Sequence, residues 1–304
     1  MSRSSPAAIV VGLLFLVCAP SSVLAQGAES EPAHFHHVHL NVVDRAKTLA
    51  YYERLLGAVE VSYRDREPAL FVERSFLLLN EVEKPAPAAP TTVVQHIGWA
   101  GVDGPNEFAW FESQEVEFQT PIGQLGGNYG WYMAGPDEEL VEIWTGGQHH
   151  RFDHVHLWAT DVEASSNWFR DHLGLTPRVL PKPTTQDRES IQSIHMSFIQ
   201  CDNVNIVFFG VPSFDSVWFP GANYTRSDAG EDFPQPTRGH VVDHIGFSYR
   251  DIDPVFERIR DAGVEIAEPI ATRPAGMRSF FVWAPDGLLV EIVEEKPLPQ
   301  GVWE

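Results

Sequence analysis

His37-Val38-His39-Leu40, His96-Ile97-Gly98-Trp99, His154-Val155-His156-Leu157 and His244-Ile245-Gly246-Phe247 are four versions of one short stretch, and they organise the chain. Each alternates about apolar residues as a half-buried strand does. In each, an Asp follows the first His by seven residues: Asp44, Asp103, Asp161 and Asp251. Asp is a favoured helix N-cap, because its side-chain oxygen takes up a free backbone N–H. Helical spacing then follows. Leu49, Tyr52 and Leu56 share a face before Gly57, Phe169 and Leu173 share one before Gly174, and a third helix is expected from Asp251 to Gly263. Each Gly suits the left-handed residue that closes a helix. After Asp103 the helical signal is weaker, since Gly104 and Pro105 stand at its start.

Working outward, the second and fourth stretches continue alike. Val116-Glu117-Phe118-Gln119-Thr120-Pro121-Ile122 parallels Val264-Glu265-Ile266-Ala267-Glu268-Pro269-Ile270, with each Pro 25 residues after its strand His. Both copies end in a Pro-Asp turn and a strand, Leu140-Val141-Glu142-Ile143 and Leu289-Val290-Glu291-Ile292. The order strand, helix, strands therefore occurs four times, which predicts an α+β protein of four βαβββ modules. The first and third modules carry His-Val-His-Leu and the second and fourth His-Ile-Gly, so the chain reads as a duplicated pair. The expected boundaries are modules 33–83 and 92–146 in a first pair (33–146), and modules 150–211 and 240–296 in a second (150–296). Residues 84–90 form a Pro/Ala linker, and 211–238 a long loop rich in Pro, Gly, Asp and Ser.

The bulk properties bound the function. The 304 residues are 43% hydrophobic and 21% charged, enough for two cores of moderate size. A formal net charge of -21 argues against nucleic acid and anionic membranes as partners. Arg3, the apolar run 8–19 and Val23-Leu24-Ala25 read as a signal peptide over residues 1–25. Export to the periplasm or outside the cell is therefore expected, with no stable membrane anchor after cleavage. Cys18 is unsuited to lipidation, with Val17 before it, and cleavage leaves Cys201 alone, as a small buried hydrophobe without a disulfide. Self-association into a homo-oligomer is left open.

These stretches resemble the vicinal oxygen chelate superfamily, which includes glyoxalase I, fosfomycin-resistance thiol transferases, methylmalonyl-CoA epimerase and extradiol ring-cleaving dioxygenases. The resemblance covers nearly all of the chain after residue 25. It implies that the modules pair into two cupped half-barrels, each around one divalent metal. The implied ligands are His37, His96 and Glu142 in the first pair and His154, His244 and Glu291 in the second. A pairing of the first module with the fourth and the second with the third would keep the ligands and exchange their partners.

The chemistry of the residues points the same way. Two imidazoles and a carboxylate suit Fe(II), Mn(II), Zn or Ni and leave coordination positions open, and each Glu interrupts an apolar strand, where an unpaired carboxylate is costly. His39 and His156 lie two residues beyond His37 and His154, so they share a strand face with them and are candidates for proton transfer. Gly98 and Gly246 take the equivalent places and leave room for substrate.

Tyr132-Met133-Ala134-Gly135-Pro136 before Glu142 partly resembles the extradiol signature, which makes Tyr132 a candidate to hydrogen-bond an oxygen ligand of the metal. In the other copy Phe281 stands at that place, and the signature's upstream His is missing from both. Glyoxalase I draws a fourth, proton-moving ligand from the last strand of the partner module, but residues 76–80 and 204–208 carry no carboxylate. The reading is thus a metal-dependent enzyme, with Fe(II) or Mn(II) favoured, acting on a small molecule that chelates the metal through adjacent oxygens. Dioxygenase chemistry leads, and the alternatives are a glyoxalase-like lyase or isomerase and a small-molecule binding protein.

Overall fold

The computed structural model describes residues 31–63, 68–85, 92–183, 194–211, 231–273 and 276–295. The expected signal peptide, residues 86–90 of the linker and residues 212–230 of the long loop lie outside the described residues. Among the described residues no helix is long and apolar enough to cross a membrane.

Four βαβββ modules follow in order. The first is β1 (His34–Val42), α1 (Arg45–Leu56), β2 (Val59–Ser62), β3 (Pro68–Val72) and β4 (Ser75–Glu81). The second is β5 (Val94–Gly101), α2 (Gly104–Ser113), β6 (Gly123–Leu125), β7 (Asn128–Ala134) and β8 (Leu140–Thr145). The third is β9 (Arg151–Ala159), α3 (Val162–Leu173), β10 (Pro177–Val179), β11 (Met196–Cys201) and β12 (Val204–Gly210). The fourth is β13 (Val242–Tyr249), α4 (Asp253–Asp261), β14 (Ile266–Thr272), β15 (Arg278–Trp283) and β16 (Leu289–Glu294).

The helix ends follow local chemistry. Asp44 accepts from Lys47 N, Asp103 from Asn106 N, and Asp161 from Glu163 N and Ala164 N. Gly57 and Gly174 close α1 and α3 at φ 67° and 74°, where a side chain would be strained. The helix after Asp103 forms despite Gly104 and Pro105. Proline is tolerated in a first turn, where its missing N–H is not needed, and Glu107 folds back to accept from Val102 N and Asp103 N. The fourth helix departs from expectation. Its cap is Ile252, with no side-chain bond, and Asp251 instead accepts from Asp253 N just before Pro254.

The strands form two eight-stranded sheets, β14-β15-β16-β13-β1-β4-β3-β2 and β10-β11-β12-β9-β5-β8-β7-β6. At their centres β1 pairs antiparallel with β13, and β5 with β9. Module one therefore pairs with four and two with three, which corrects the grouping by chain order into 33–146 and 150–296. Connection length gives the reason. Only residues 146–150 separate β8 from β9, so neighbours in sequence stay neighbours in space. Longer segments, 82–93 and 211–241, carry the chain across to the other sheet.

The main core lies behind both sheets, and a smaller separate cluster is formed by Tyr132, Leu140, Trp158, Val207, Phe209 and Phe233. Val38, Leu40, Ile97, Trp99, Val155, Leu157, Ile245 and Phe247 alternate with the strand histidines, and all are buried in a single cluster. Phe35 joins the two halves, 5.8 Å from Phe152 of module three and from Phe247 of module four. Cys201 is buried there as a small hydrophobe. The faces opposite this core carry the histidines.

Candidate metal centres

Each central strand pair is irregular at the same places, and the irregularities build the sites. Along β1 and β13 the register runs Phe35↔Phe247, His37↔Gly246, His39↔His244, Leu40↔Val242. His36 and Asp243 are thus extra residues, one on each strand. Along β5 and β9 it runs Val94↔Leu157, His96↔His156, Gly98↔His154, Trp99↔Phe152, which makes Gln95 and Asp153 the extra residues. In a regular strand, neighbouring side chains point to opposite faces. A bulge re-aims the extra side chain, and here it lies beside the histidine that follows it.

In the one–four centre, His37 Nε2 and His244 Nε2 lie 3.3 and 3.4 Å from Glu291 Oε2. All three residues are buried, at 0%, 5% and 4% exposure. The bulge residues occupy the outer nitrogens. Asp243 Oδ1 stands 2.7 Å from His244 Nδ1, and Asp243 is itself held by Gly239 N and Asn41 Nδ2. His36 Nδ1 stands 2.7 Å from His37 Nδ1, while His36 Nε2 faces Glu295 Oε2 at 3.1 Å, a carboxylate that also accepts from the Tyr63 hydroxyl. Glu295 fixes the proton on His36 Nε2. His36 Nδ1 must then accept from His37 Nδ1–H, and His37 Nε2 is left with a lone pair directed at the centre.

In the two–three centre, Glu142 Oε2 lies 3.1 Å from His96 Nε2 and 2.8 Å from His154 Nε2, and the two nitrogens are 3.0 Å apart. Gln95 Oε1 accepts from His96 Nδ1, and Asp153 Oδ2 from His154 Nδ1, each at 3.0 Å. Both inner nitrogens are again turned inward. One carboxylate backs each centre, but on different modules: Asp243 on module four and Asp153 on module three.

Charge is distributed accordingly. Burial holds His37 down to about 4 and His39 to about 3, and lowers His96 and His156. Burial also opposes charge on His154, yet its bonds to Asp153 and Glu142 lift it to about 9; Asp243 and Glu291 raise His244 in the same way. Glu142 and Glu291 stay well below the usual carboxylate range despite burial, held by His96 and His154 in one centre and by His244 and His37 in the other.

A divalent cation fits both centres. His37 Nε2 and His244 Nε2 are buried without a hydrogen-bond partner although both face one carboxylate. His96 Nε2 meets Glu142 Oε2, His154 Nε2 and His156 Nδ1 at 3.1, 3.0 and 3.2 Å, and a single N–H cannot serve three neighbours. Donor atoms ~2.1 Å from one ion lie about 3.0–3.4 Å from each other, the spacing found here. Mutually proximal donor groups include His37, His39 and His244 in one centre and His96, Glu142 and His154 in the other.

The structure thus brings all six expected ligand positions into two clusters, with the partners exchanged. His39 and His156 lie within the clusters, not apart from them: His39 stacks on His244 at 4.5 Å, and His156 meets His96 at 4.5 Å. Tyr132 pairs with Glu142 across β7–β8 and sets its ring edge 5.1 Å from His96. Phe281 repeats this beside Glu291 and His244. Sequence reasoning missed His36, Gln95, Asp153 and Asp243, because strict alternation assigns them to the other face. Their signal is that a polar residue precedes each of the four strand histidines. Replacing Asp153 or Asp243 by Asn is expected to weaken metal binding at the corresponding centre by ~10–100-fold, the usual loss when an outer partner of a ligand is removed. Competition with a chelator of known affinity checks this.

Comparison with known proteins follows the same lines. The model of the Glyoxalase/Bleomycin resistance protein/Dioxygenase superfamily matches residues 151–292. Glyoxalase I from Zea mays is similar in structure with a TM-score of 0.64 and 15% identity, over 86% of this chain and 92% of that one. A candidate dioxygenase from Bacillus subtilis gives 0.58 and 12%, over 86% and 85%. At such identities the likeness is one of fold. No curated protein matches the chain by sequence.

Proposed function

We propose that the chain is a member of the glyoxalase/bleomycin resistance protein/dioxygenase superfamily, whose model matches residues 151–292, and that it is an exported, metal-dependent enzyme acting on a small molecule that chelates the metal through adjacent oxygens. The reaction we assign is oxygenation with Fe(II) or Mn(II). The observation that carries this reading is the convergence of buried, inward-turned imidazole nitrogens on Glu291 and on Glu142. A divalent metal supplies Lewis acidity to substrate oxygens and, as Fe(II) or Mn(II), a redox partner for dioxygen. His37, His244 and Glu291 would hold it in one centre, and His96, His154 and Glu142 in the other.

The remaining residues orient and exclude. The four bulge residues fix which nitrogen of each ligand carries a proton. Gly98 and Gly246 leave space for the rings of His154 and His37. Tyr132, Phe281 and Phe209 set aromatic edges against the histidines, which suits a planar, unsaturated substrate. Oxygenation is favoured over lyase chemistry by register. Glu291 pairs with Gly246 and Glu142 with Gly98, but the matching places beside His39 and His156 are Leu78 and Val207. No carboxylate stands there to move a substrate proton.

The test is oxygen uptake by anaerobically metal-loaded protein with a panel of catechols and hydroquinones. Uptake in step with substrate loss, abolished by Glu142→Ala with Glu291→Ala, is the expected result. Turnover without oxygen would move the assignment to a lyase. Ligand binding without any turnover would leave a binding protein.

A further inference from the structure

The two kinds of module differ by an exchange. Where the last strand of a module carries Glu, the neighbouring residue on its first strand is Gly: Glu291 beside Gly246 and Glu142 beside Gly98. Where the last strand carries an apolar residue, the neighbour is His: Leu78 beside His39 and Val207 beside His156. Each centre draws one module of each kind, so each receives one carboxylate and one additional imidazole from matching register positions.

We infer that His39 and His156 are fourth protein ligands, giving each centre three imidazoles and one carboxylate, instead of the proton-transfer groups that strand alternation suggests.

Ring positions support this. In the one–four centre the separations are 6.5 Å for His37–His39, 5.3 Å for His37–His244 and 4.5 Å for His39–His244. In the two–three centre the corresponding separations are 6.3, 5.1 and 4.5 Å. The same triangle recurs although the surrounding residues differ. Its long side joins the two histidines of one strand, which places them across a common point, and the third histidine stands beside both. His156 Nδ1 lies 3.2 Å from His96 Nε2, the separation of adjacent donors on one ion (~3 Å). Ring contacts with His244 and Phe209 position them, but among the described residues no other hydrogen bond does. His156 Nε2 is buried without a hydrogen-bond partner, and His39 makes no hydrogen bond to another described residue. Two imidazoles, His156 buried and His39 half-buried, aimed at a cluster of lone pairs are accounted for by a cation between them.

The inference rests on the metal reading above, and the experiment separates the two. X-ray absorption of the full chain loaded with Zn(II) counts imidazoles per metal by their multiple scattering. Three per metal in the wild type are expected, falling to two in His39→Ala with His156→Ala, with affinity lowered by more than ~100-fold, the upper end for losing an outer partner. Two per metal in the wild type would overturn the assignment and leave the metal reading intact, and that count needs no variant to fold. A wild type that takes up no metal would overturn both.

Discussion

Gly98→Ala is expected to empty the two–three centre and spare the one–four centre, and Gly246→Ala to do the reverse. A Cβ at position 98 would lie 2.1 Å from His154 Cε1 and 2.2 Å from its Nε2. One at 246 would lie 2.0 Å from His37 Cε1 and 2.1 Å from its Nδ1. Carbon atoms in contact sit ~3.5–4.0 Å apart, so the ring must move by more than an ångström. It cannot do so in place, because His154 is held at both nitrogens, by Asp153 and Glu142, and the buried His37 ring is held at Nδ1 by His36 with Glu291 3.3 Å from its Nε2. The added methyl therefore displaces a ligand while leaving the core side of the strand, Ile97 and Trp99 or Ile245 and Phe247, untouched. Metal content should fall by half in either variant, with affinity at the affected centre lowered by more than ~100-fold. Elemental analysis beside a far-ultraviolet spectrum checks it; full metal content in both variants would contradict the placement of the ligands.

The metal-free chain should lose stability as pH rises from about 7 to 9. In the folded chain His154 is raised to about 9 from its ordinary 6.5. Its protonated form is thus favoured in the folded state, by Asp153 and Glu142 and against burial. The contribution is fully present below pH 6.5 and is lost as pH passes through 9, on the order of 3 kcal/mol for a shift of this size. His244 acts in the same direction through Asp243 and Glu291. Glu139 falls in a separate window. Burial raises it to about 7, against its bond to the Tyr52 hydroxyl, so its effect declines between 4.5 and 7. Chaotrope midpoints of metal-free protein at pH 7 and 9 measure the change, and Asp153→Asn should flatten it. Bound metal should reverse the trend, since the metal displaces the proton from the inner nitrogen. A metal-free midpoint that is level or rising between pH 7 and 9 would count against the pairing of His154 with two carboxylates.

How much of this is legible in the sequence follows from which forces are local. The four strand histidines, the caps at Asp44, Asp103 and Asp161, and the closing Gly57 and Gly174 depend on near neighbours and can be read directly. Glu142 and Glu291 are conspicuous because a carboxylate interrupts Leu-Val-Glu-Ile. The partner of each module is not local. It depends on β1 meeting β13 and on β5 meeting β9, and only the brevity of residues 146–150 hints at it. The bulges are hidden for a different reason. They break the period of two by which strand faces are assigned, so His36, Gln95, Asp153 and Asp243 fall on the wrong face in any regular reading. The same limit conceals the exchange of Leu78 and Val207 for Glu, which becomes visible only once register pairs each of them with a histidine.

The most direct test of the central claim, that modules one and four share one centre and modules two and three the other, is metal content in two double variants. His37→Ala with Glu291→Ala damages one centre twice and should leave one metal per chain. His37→Ala with Glu142→Ala damages both centres and should leave none. The opposite pattern, metal retained in His37→Ala with Glu142→Ala and lost in His37→Ala with Glu291→Ala, would mean that His37 and Glu142 serve the same ion and would contradict the account.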